Sequence, residues 1–204
     1  YEGDFQACFD TLNHEFILKQ IKGFPHYNLV KRFLKAGYVD NNVFHNTMEG
    51  TPQGGLLSPL LANIALHGME EALGISYKPV NTKDGVIYNT KGDYRVVRYA
   101  DDFLIFARSK EEIMKVESIL EHYFEERGLI LSEEKTFIKN ISEGFDFVGF
   151  NFRQYKTKDG LKCFSKPSKD SIKKFKMKVD EIVKNCYGSN VEVLLVCDEL
   201  TGSP

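Results

Sequence analysis

The chain has 204 residues, 42% of them apolar, enough for one folded domain with a core or for one domain plus part of a second. Its formal net charge of −2 carries no whole-chain mark of a polyanion binder, and no run approaches the ~18 continuous apolar residues of a membrane span. Four scattered cysteines (Cys8, Cys163, Cys186, Cys197) contain no CxxC pair, which argues against a zinc site and a disulfide framework, fits a reducing, cytoplasmic compartment, and comes with no visible signal peptide.

In chain order, residues 1–8 lean apolar and read as a strand. Asn13 is placed to cap a helix through Ile21, with Phe16, Ile17 and Ile21 on one face. Residues 29–36 read as a second helix stopped by Gly37, and residues 43–48 as a strand. A glycine-rich stretch, residues 50–55, precedes a helix from about Ser58 that tolerates Pro59 in its first turn. Its expected inner face is Leu60, Ile64, Leu66 and Met69. Asp84-Gly85 marks a hairpin turn.

Residues 94–99 and 103–107 then form two strands around Ala100-Asp101-Asp102. Ser109 with Glu112 is a capping box opening a helix to Arg127, stopped by Gly128. Short strands follow at 129–131, 136–139 and 145–152. Residues 169–184 form a basic amphipathic helix with Ile172, Phe175, Val179 and Ile182 aligned. Interleaved helices and hairpins point to an α+β fold built on an antiparallel sheet. The best boundary candidate is residues 155–166, giving domains 1–155 and 156–204, and both ends read as cut from a longer protein. Residues 156–184 hold ten Lys against Asp159, Asp170, Asp180 and Glu181, a local balance of +6 that suits either a phosphate backbone or a solvated helix face.

Asp101 and Asp102 place two negative charges inside an apolar stretch, RYADDFLIF. On a flat strand adjacent side chains point to opposite faces, whereas a tight turn lets both approach one ion. Carboxylates are hard oxygen ligands suited to Mg²⁺, and two ions about 4 Å apart can drive phosphoryl transfer. That chemistry needs a third carboxylate from another strand, and Asp4 in EGDFQACFD is the candidate. Taken alone, a surface turn for the aspartate pair and an edge position for Asp4 are the readings to prefer.

The order of the motifs closes that choice. EGDFQACFDTLNH, GTPQGGLLSPLLANIALH, RYADD, GLILSEEKT, FDFVGFNF and KPSKDSIKKFK together resemble the reverse transcriptases, specifically the group II intron maturase type. The resemblance runs to about residue 183. It implies a right-hand polymerase palm with a ferredoxin-like core, followed by the start of a basic thumb, with the fingers missing. It implies Asp4, Asp101 and Asp102 as catalytic metal ligands, joined by the Phe5 carbonyl, with Mg²⁺ as the ion and Mn²⁺ able to replace it. Phe9, five residues after Asp4, falls where the family places a ring that rejects a ribose 2′-hydroxyl. Pro52, Gln53 and Gly54 would lie under the incoming nucleotide, with Tyr99 also contacting substrate. Lys135 would stand near the triphosphate and give a proton to the leaving pyrophosphate.

The implied activity is RNA-directed DNA synthesis from an RNA template, a DNA primer and deoxynucleoside triphosphates. Intron RNA is the further implied partner. Two alternatives share these motifs: an RNA-gripping splicing cofactor, and a retron, phage-defence or CRISPR-linked reverse transcriptase. Phe9 argues against an RNA-dependent RNA polymerase. For His14, packing or capping is favoured over catalysis, and His26, His45, His67 and His122 share no ligand spacing.

Overall fold

A computed structural model of the chain describes residues 1–40, 43–45, 47–51, 55–83 and 85–185. It divides into two compact units, Tyr1–Ile138 and Lys139–Pro204. The first contains β1 (Glu2–Gly3), α1 (Cys8–Thr11), α2 (His14–Gln20), α3 (Tyr27–Leu34), β2 (Tyr38–Asp40), β3 (Val43–His45), α4 (Ser58–Ala65) and α5 (Met69–Ala72). It continues through β4 (Ser76–Thr82), β5 (Gly85–Lys91), β6 (Arg95–Tyr99), β7 (Asp102–Phe106), α6 (Lys110–Ile113) and α7 (Val116–Arg127). The second unit holds β8 (Phe145–Phe147), β9 (Phe150–Thr157), β10 (Gly160–Pro167) and α8 (Lys169–Asn185).

The core of the first unit grows from β7. Its Phe103, Leu104 and Ile105 are buried in succession, so this strand is covered on both faces. It is the centre of an antiparallel sheet ordered β1-β7-β6. Against it pack Phe5, Leu12, Ile17, Leu61, Ala65, Met69, Leu120 and Phe124. Phe5 joins the strands to the helices: its ring lies 5.0 Å from Phe103 and 5.7 Å, edge-on, from Phe124. Each of the larger of these side chains contributes on the order of 1.5–3 kcal/mol by leaving water.

Local chemistry explains the helix ends. Asn13 accepts the Phe16 N–H at 3.1 Å and caps α2, as its position predicts. Ser109 accepts the Glu112 N–H at 3.2 Å while Glu112 accepts the Arg108 N–H at 3.0 Å, so the capping box forms. Gly128 ends α7 at φ +69°, whereas α3 stops at Leu34, three residues before Gly37.

Several expectations are corrected. The strand over residues 1–8 stops at Gly3, because Ala7 turns into the left-handed region at φ +48° and launches α1. On α4 the buried face is Leu61, Ala62 and Ala65, leading to Leu66 and Met69, while Leu60 is 57% exposed. Leu66 and Met69 are buried and Ile64 packs against the core as expected, so Leu60 alone was misplaced. The helix to Arg127 is broken at Met114-Lys115 into α6 and α7. The strands expected at 129–131 and 136–139 reduce to isolated bridges, Phe5↔Leu131 and Glu2↔Phe137. Residues 145–152 form a hairpin instead of one strand, because Val148 and Gly149 both take positive φ, 47° and 78°.

In the second unit the sheet order is β10-β9-β8, with Phe145 stacked on its cross-strand partner Phe152 at 5.6 Å. Residues 155–166 lie within the β9–β10 hairpin. The basic helix α8 forms as expected, and Ile172, Phe175 and Val179 on it are exposed.

Candidate active site

The site lies where β1 leaves the sheet beside the β6–β7 turn. β1 pairs with β7 in the register Gly3↔Phe103, so the next step along each strand brings Asp4 toward Asp102. Gly3 is required for that approach. A Cβ there would overlap the Phe103 ring, which is itself 1% exposed and cannot move aside. On its other side Asp4 is held by the segment from Ile130 to Phe137. Gln6 N–H donates to the Ile130 carbonyl at 2.7 Å, Ser132 N–H to the Asp4 carbonyl at 2.9 Å, and Glu2 and Phe137 exchange two bonds at 2.8 and 2.9 Å.

The paired aspartates sit at a two-residue turn. Tyr99 pairs with Asp102, leaving Ala100 and Asp101 as the loop. Ala100 takes φ +54°, a conformation that costs an L-residue roughly 1–2 kcal/mol. Arg98 stabilises it by donating to the Ala100 carbonyl at 2.8 Å and to Asn63 Oδ1 on α4 at 3.1 Å. The turn therefore puts Asp101 and Asp102 at one end of the sheet, as the hairpin reading of RYADD anticipates.

The charges of these groups act on one another. Burial pushes the Asp102 carboxyl up, and the charges of Asp101, Asp4 and Glu2 push it further, with Lys135 opposing. Lys135 donates from Nζ to Asp4 Oδ2 at 2.6 Å. That bond and the Asp4 charge, then Asp102 and Asp101, push its ammonium up. The Asp4 side chain is only 14% exposed, whereas that of Lys135 is 69% exposed. Among the described residues, no three His, Cys, Asp or Glu side chains are gathered as a ready metal cage. The donor chemistry nonetheless fits a hard divalent cation: three carboxylates share one field, and a lysine is the cation that meets them.

The other expected residues fall in distinct places. The Phe5 ring is core, 3% exposed, leaving only its backbone to face the site. Phe9 is half-buried against the core. Tyr99 is exposed at the end of β6. Pro52, Gln53 and Gly54 lie outside the described residues. The start of their loop is described, and it is tied to the segment carrying Phe9. Thr51 N–H donates to the Phe9 carbonyl at 2.5 Å and Gly50 N–H to the Leu12 carbonyl at 2.7 Å. His14, 4% exposed, donates from Nε2 to the Gly50 carbonyl at 2.5 Å. Gly50 sits at φ +75° with its missing Cβ directed at the Phe9 and Asp10 carbonyls.

Three supporting residues were not assigned from sequence: Ser132, Arg98, and His14 as the fastener of the glycine loop. Arg98 had a visible signal, a cation three residues before an acidic turn. Asn63 likewise stands out as one polar residue within an apolar helix. Ser132 acts through its backbone and leaves no side-chain signature.

The chain is similar to known proteins. Residues 1–152 match the family model for reverse transcriptase (RNA-dependent DNA polymerase). The group II intron-encoded protein LtrA of Lactococcus lactis subsp. cremoris is 30% identical over 74% of this chain and 34% of its own length. The COX1/OXI3 intron 1 protein of Saccharomyces cerevisiae is 30% identical over 74% of this chain and 23% of its own. Protein YkfC of Escherichia coli K12 is 30% identical over 78% of this chain and 48% of its own. The match to LtrA thus spans about a third of that protein's length. Among the described residues no helix is long and apolar enough to cross a membrane. With a family match over residues 1–152 and relatives named for their introns, the chain belongs to the reverse transcriptases, of the type encoded by group II introns, and has their palm-type polymerase fold.

Proposed function

We propose that this chain carries the polymerase centre of an enzyme that extends a DNA primer on an RNA template. The observation that carries the reading is the shared field of Asp4, Asp101 and Asp102, brought from two hydrogen-bonded strands to one end of the sheet. On this reading residues 1–155 are the palm, with a ferredoxin-like core, and residues 156–204 begin the thumb, in a reducing, cytoplasmic setting.

Asp4, Asp101, Asp102 and the Phe5 carbonyl would hold two Mg²⁺ ions, or Mn²⁺ in their place. When bound, such ions supply the positive charge that phosphoryl transfer draws on. The primer 3′-hydroxyl attacks the α-phosphorus of a deoxynucleoside triphosphate, a new P–O bond forms, and the bond to pyrophosphate breaks. Phe9 stands against the sugar and excludes a 2′-hydroxyl. Its carbonyl bond to Thr51 couples that ring's segment to the loop of Pro52, Gln53 and Gly54, which would support the nucleotide. Tyr99 offers an exposed ring beside the aspartate turn. Lys135 would deliver a proton to the departing pyrophosphate.

A second role, gripping intron RNA, is favoured by the lysine-rich stretch that ends in α8. Primer extension with an RNA template, a DNA primer, deoxynucleotides and Mg²⁺ or Mn²⁺ tests the catalytic reading. Extension by the parent and none by Asp101→Ala supports it. Extension that survives Asp101→Ala overturns the assignment. If neither this chain nor one lengthened at its N-terminus extends the primer, the RNA-binding role leads.

A further inference from the structure

Lys135 is anchored at its backbone and reaches Asp4 through an exposed side chain. The segment from Leu131 to Phe137 faces the strand that bears Asp4, and two bridges pin it, Phe5↔Leu131 and Glu2↔Phe137. Between them five residues oppose two. The surplus folds into a turn in which Lys135 N–H donates to the Ser132 carbonyl at 3.2 Å, while Ser132 N–H donates to the Asp4 carbonyl. This turn aims Lys135 at the residue across from it. The side chain then crosses open space, 69% exposed, to reach one oxygen of a carboxylate that is 14% exposed.

Such a pair has an uneven character. An exposed lysine pays side-chain entropy to hold one geometry, and water screens its charge, so a bond like this is weak for stability. Asp4 has the opposite problem. It is mostly enclosed, with the charges of Asp101 and Asp102 nearby and Arg98 committed to Ala100 and Asn63. The ammonium therefore does for the carboxylates what a cation would do, from a tether that lets it leave.

We propose that Lys135 is a resident counter-cation that competes with divalent metal for Asp4, so that metal binding displaces its ammonium from the carboxylates. This rests on the metal-site reading above and adds a coupling to it. An ammonium 2.6 Å from Asp4 Oδ2 and a divalent ion bound to the same carboxylate would repel each other at close range, so each weakens the hold of the other. Displacement frees the ammonium beside the position where polyphosphate charge would arrive. Charge would then enter the site in a fixed order: lysine holds the empty site together, metal takes its place, and the released lysine meets the anionic substrate.

The test is Mn²⁺ binding to the full chain, without nucleotide or primer, read by electron paramagnetic resonance at fixed ionic strength. Lys135→Met keeps the stem and removes the charge, and Lys135→Arg keeps the charge. The expected result is an apparent Mn²⁺ dissociation constant at least threefold lower in Lys135→Met, near the parent value in Lys135→Arg. A second readout is Tm: in chelator Lys135→Met melts below the parent, and saturating Mn²⁺ raises its Tm by more. Circular dichroism checks that each variant is folded. Unchanged or weaker Mn²⁺ binding in Lys135→Met overturns the competition. Mn²⁺ binding that is the same in the parent and in Asp4→Asn/Asp101→Asn overturns the metal site itself, and the two failures are told apart by which variant moves.

Discussion

Arg127→Met is expected to destabilise the first unit by about 3–5 kcal/mol, a large part of the ~5–15 kcal/mol that holds a typical domain together. The reason is a helix end completed by another helix. α4 stops at Ala65, so its last carbonyls have no partner within the helix. Arg127 Nε donates to the Ala65 carbonyl at 2.9 Å, Tyr123 Oη to the Leu66 carbonyl at 2.6 Å, and Arg127 Nη2 to the His67 carbonyl at 3.2 Å. Three consecutive carbonyls are thus capped from α7. The guanidinium also lies 4.2 Å from the Phe16 ring centroid and 3.8 Å from that of Tyr123.

Each of the two cross-helix bonds from a charged donor contributes roughly 1.5–3 kcal/mol, and the ring contacts add about 1 kcal/mol. Burial takes some of this back, since desolvation is the main influence pulling the Arg127 guanidinium down. Met fills a similar volume, so the loss isolates the polar contacts from a cavity. Lys keeps charge without the planar fork, and Arg127→Lys is expected to lose about half as much. Urea unfolding followed by far-ultraviolet circular dichroism is the assay, because the chain has no Trp. A Met variant within ~1 kcal/mol of the parent, at equal slope, refutes the idea that α4 is capped in this way.

Gly3→Ala puts a methyl group into the Phe103 ring and is expected to cost at least ~1–3 kcal/mol, read as a fall in urea midpoint. Gly50→Ala meets the Phe9 and Asp10 carbonyls at a positive φ. A loss of about 2–4 kcal/mol is expected from strain and overlap together, with primer extension impaired more than the melting temperature alone explains. Burial pushes the Cys8 thiol and the Tyr123 hydroxyl up to about 12. The folded state favours both neutral forms, so this stabilisation is complete below their ordinary values of 9.0 and 10.0 and is lost as pH rises through about 12. The urea midpoint should hold to about pH 9 and fall above it, and a profile flat to pH 12 contradicts the burial. For the same reason Cys163, exposed, should alkylate at pH 8 in the folded protein while Cys8 does not.

How much of this was legible in the sequence depends on whether the deciding force was local. Asn13, Ser109 and Gly128 announce helix ends through contacts within a few residues, and the helices end where they say. The strands around Asp101, one alternating and one continuously apolar, close on a two-residue turn, so they were equally readable. The failures are cases where distant packing decided. Leu60 and Leu61 are chemically alike, and only the position of the neighbouring helices α1 and α2 selects which is buried. Nothing local in 129–139 tells a strand from two isolated bridges, because Asp4 and its neighbours across the gap set how much of it pairs. Val148 at φ +47° carries no sequence warning at all, since a β-branched residue disfavours that conformation.

The same division shapes the site. Every group that must stay put is fixed by the core: Gly3 admits Phe103, the Phe5 ring is locked between Phe103 and Phe124, and Arg127 holds the end of the helix that follows the glycine loop. The groups that would meet charge lie one residue beyond those anchors, Asp4 after Gly3 and Asp102 before Phe103. A carboxylate so placed inherits the position of a buried ring. Loosening the core, as in Gly3→Ala, should therefore weaken Mn²⁺ binding even though no ligand is touched. Removing Lys135 should strengthen it while leaving the core unchanged. Opposite signs from the two substitutions would separate positioning from charge. Equal signs would mean that Lys135 helps to build the site and is not its competitor.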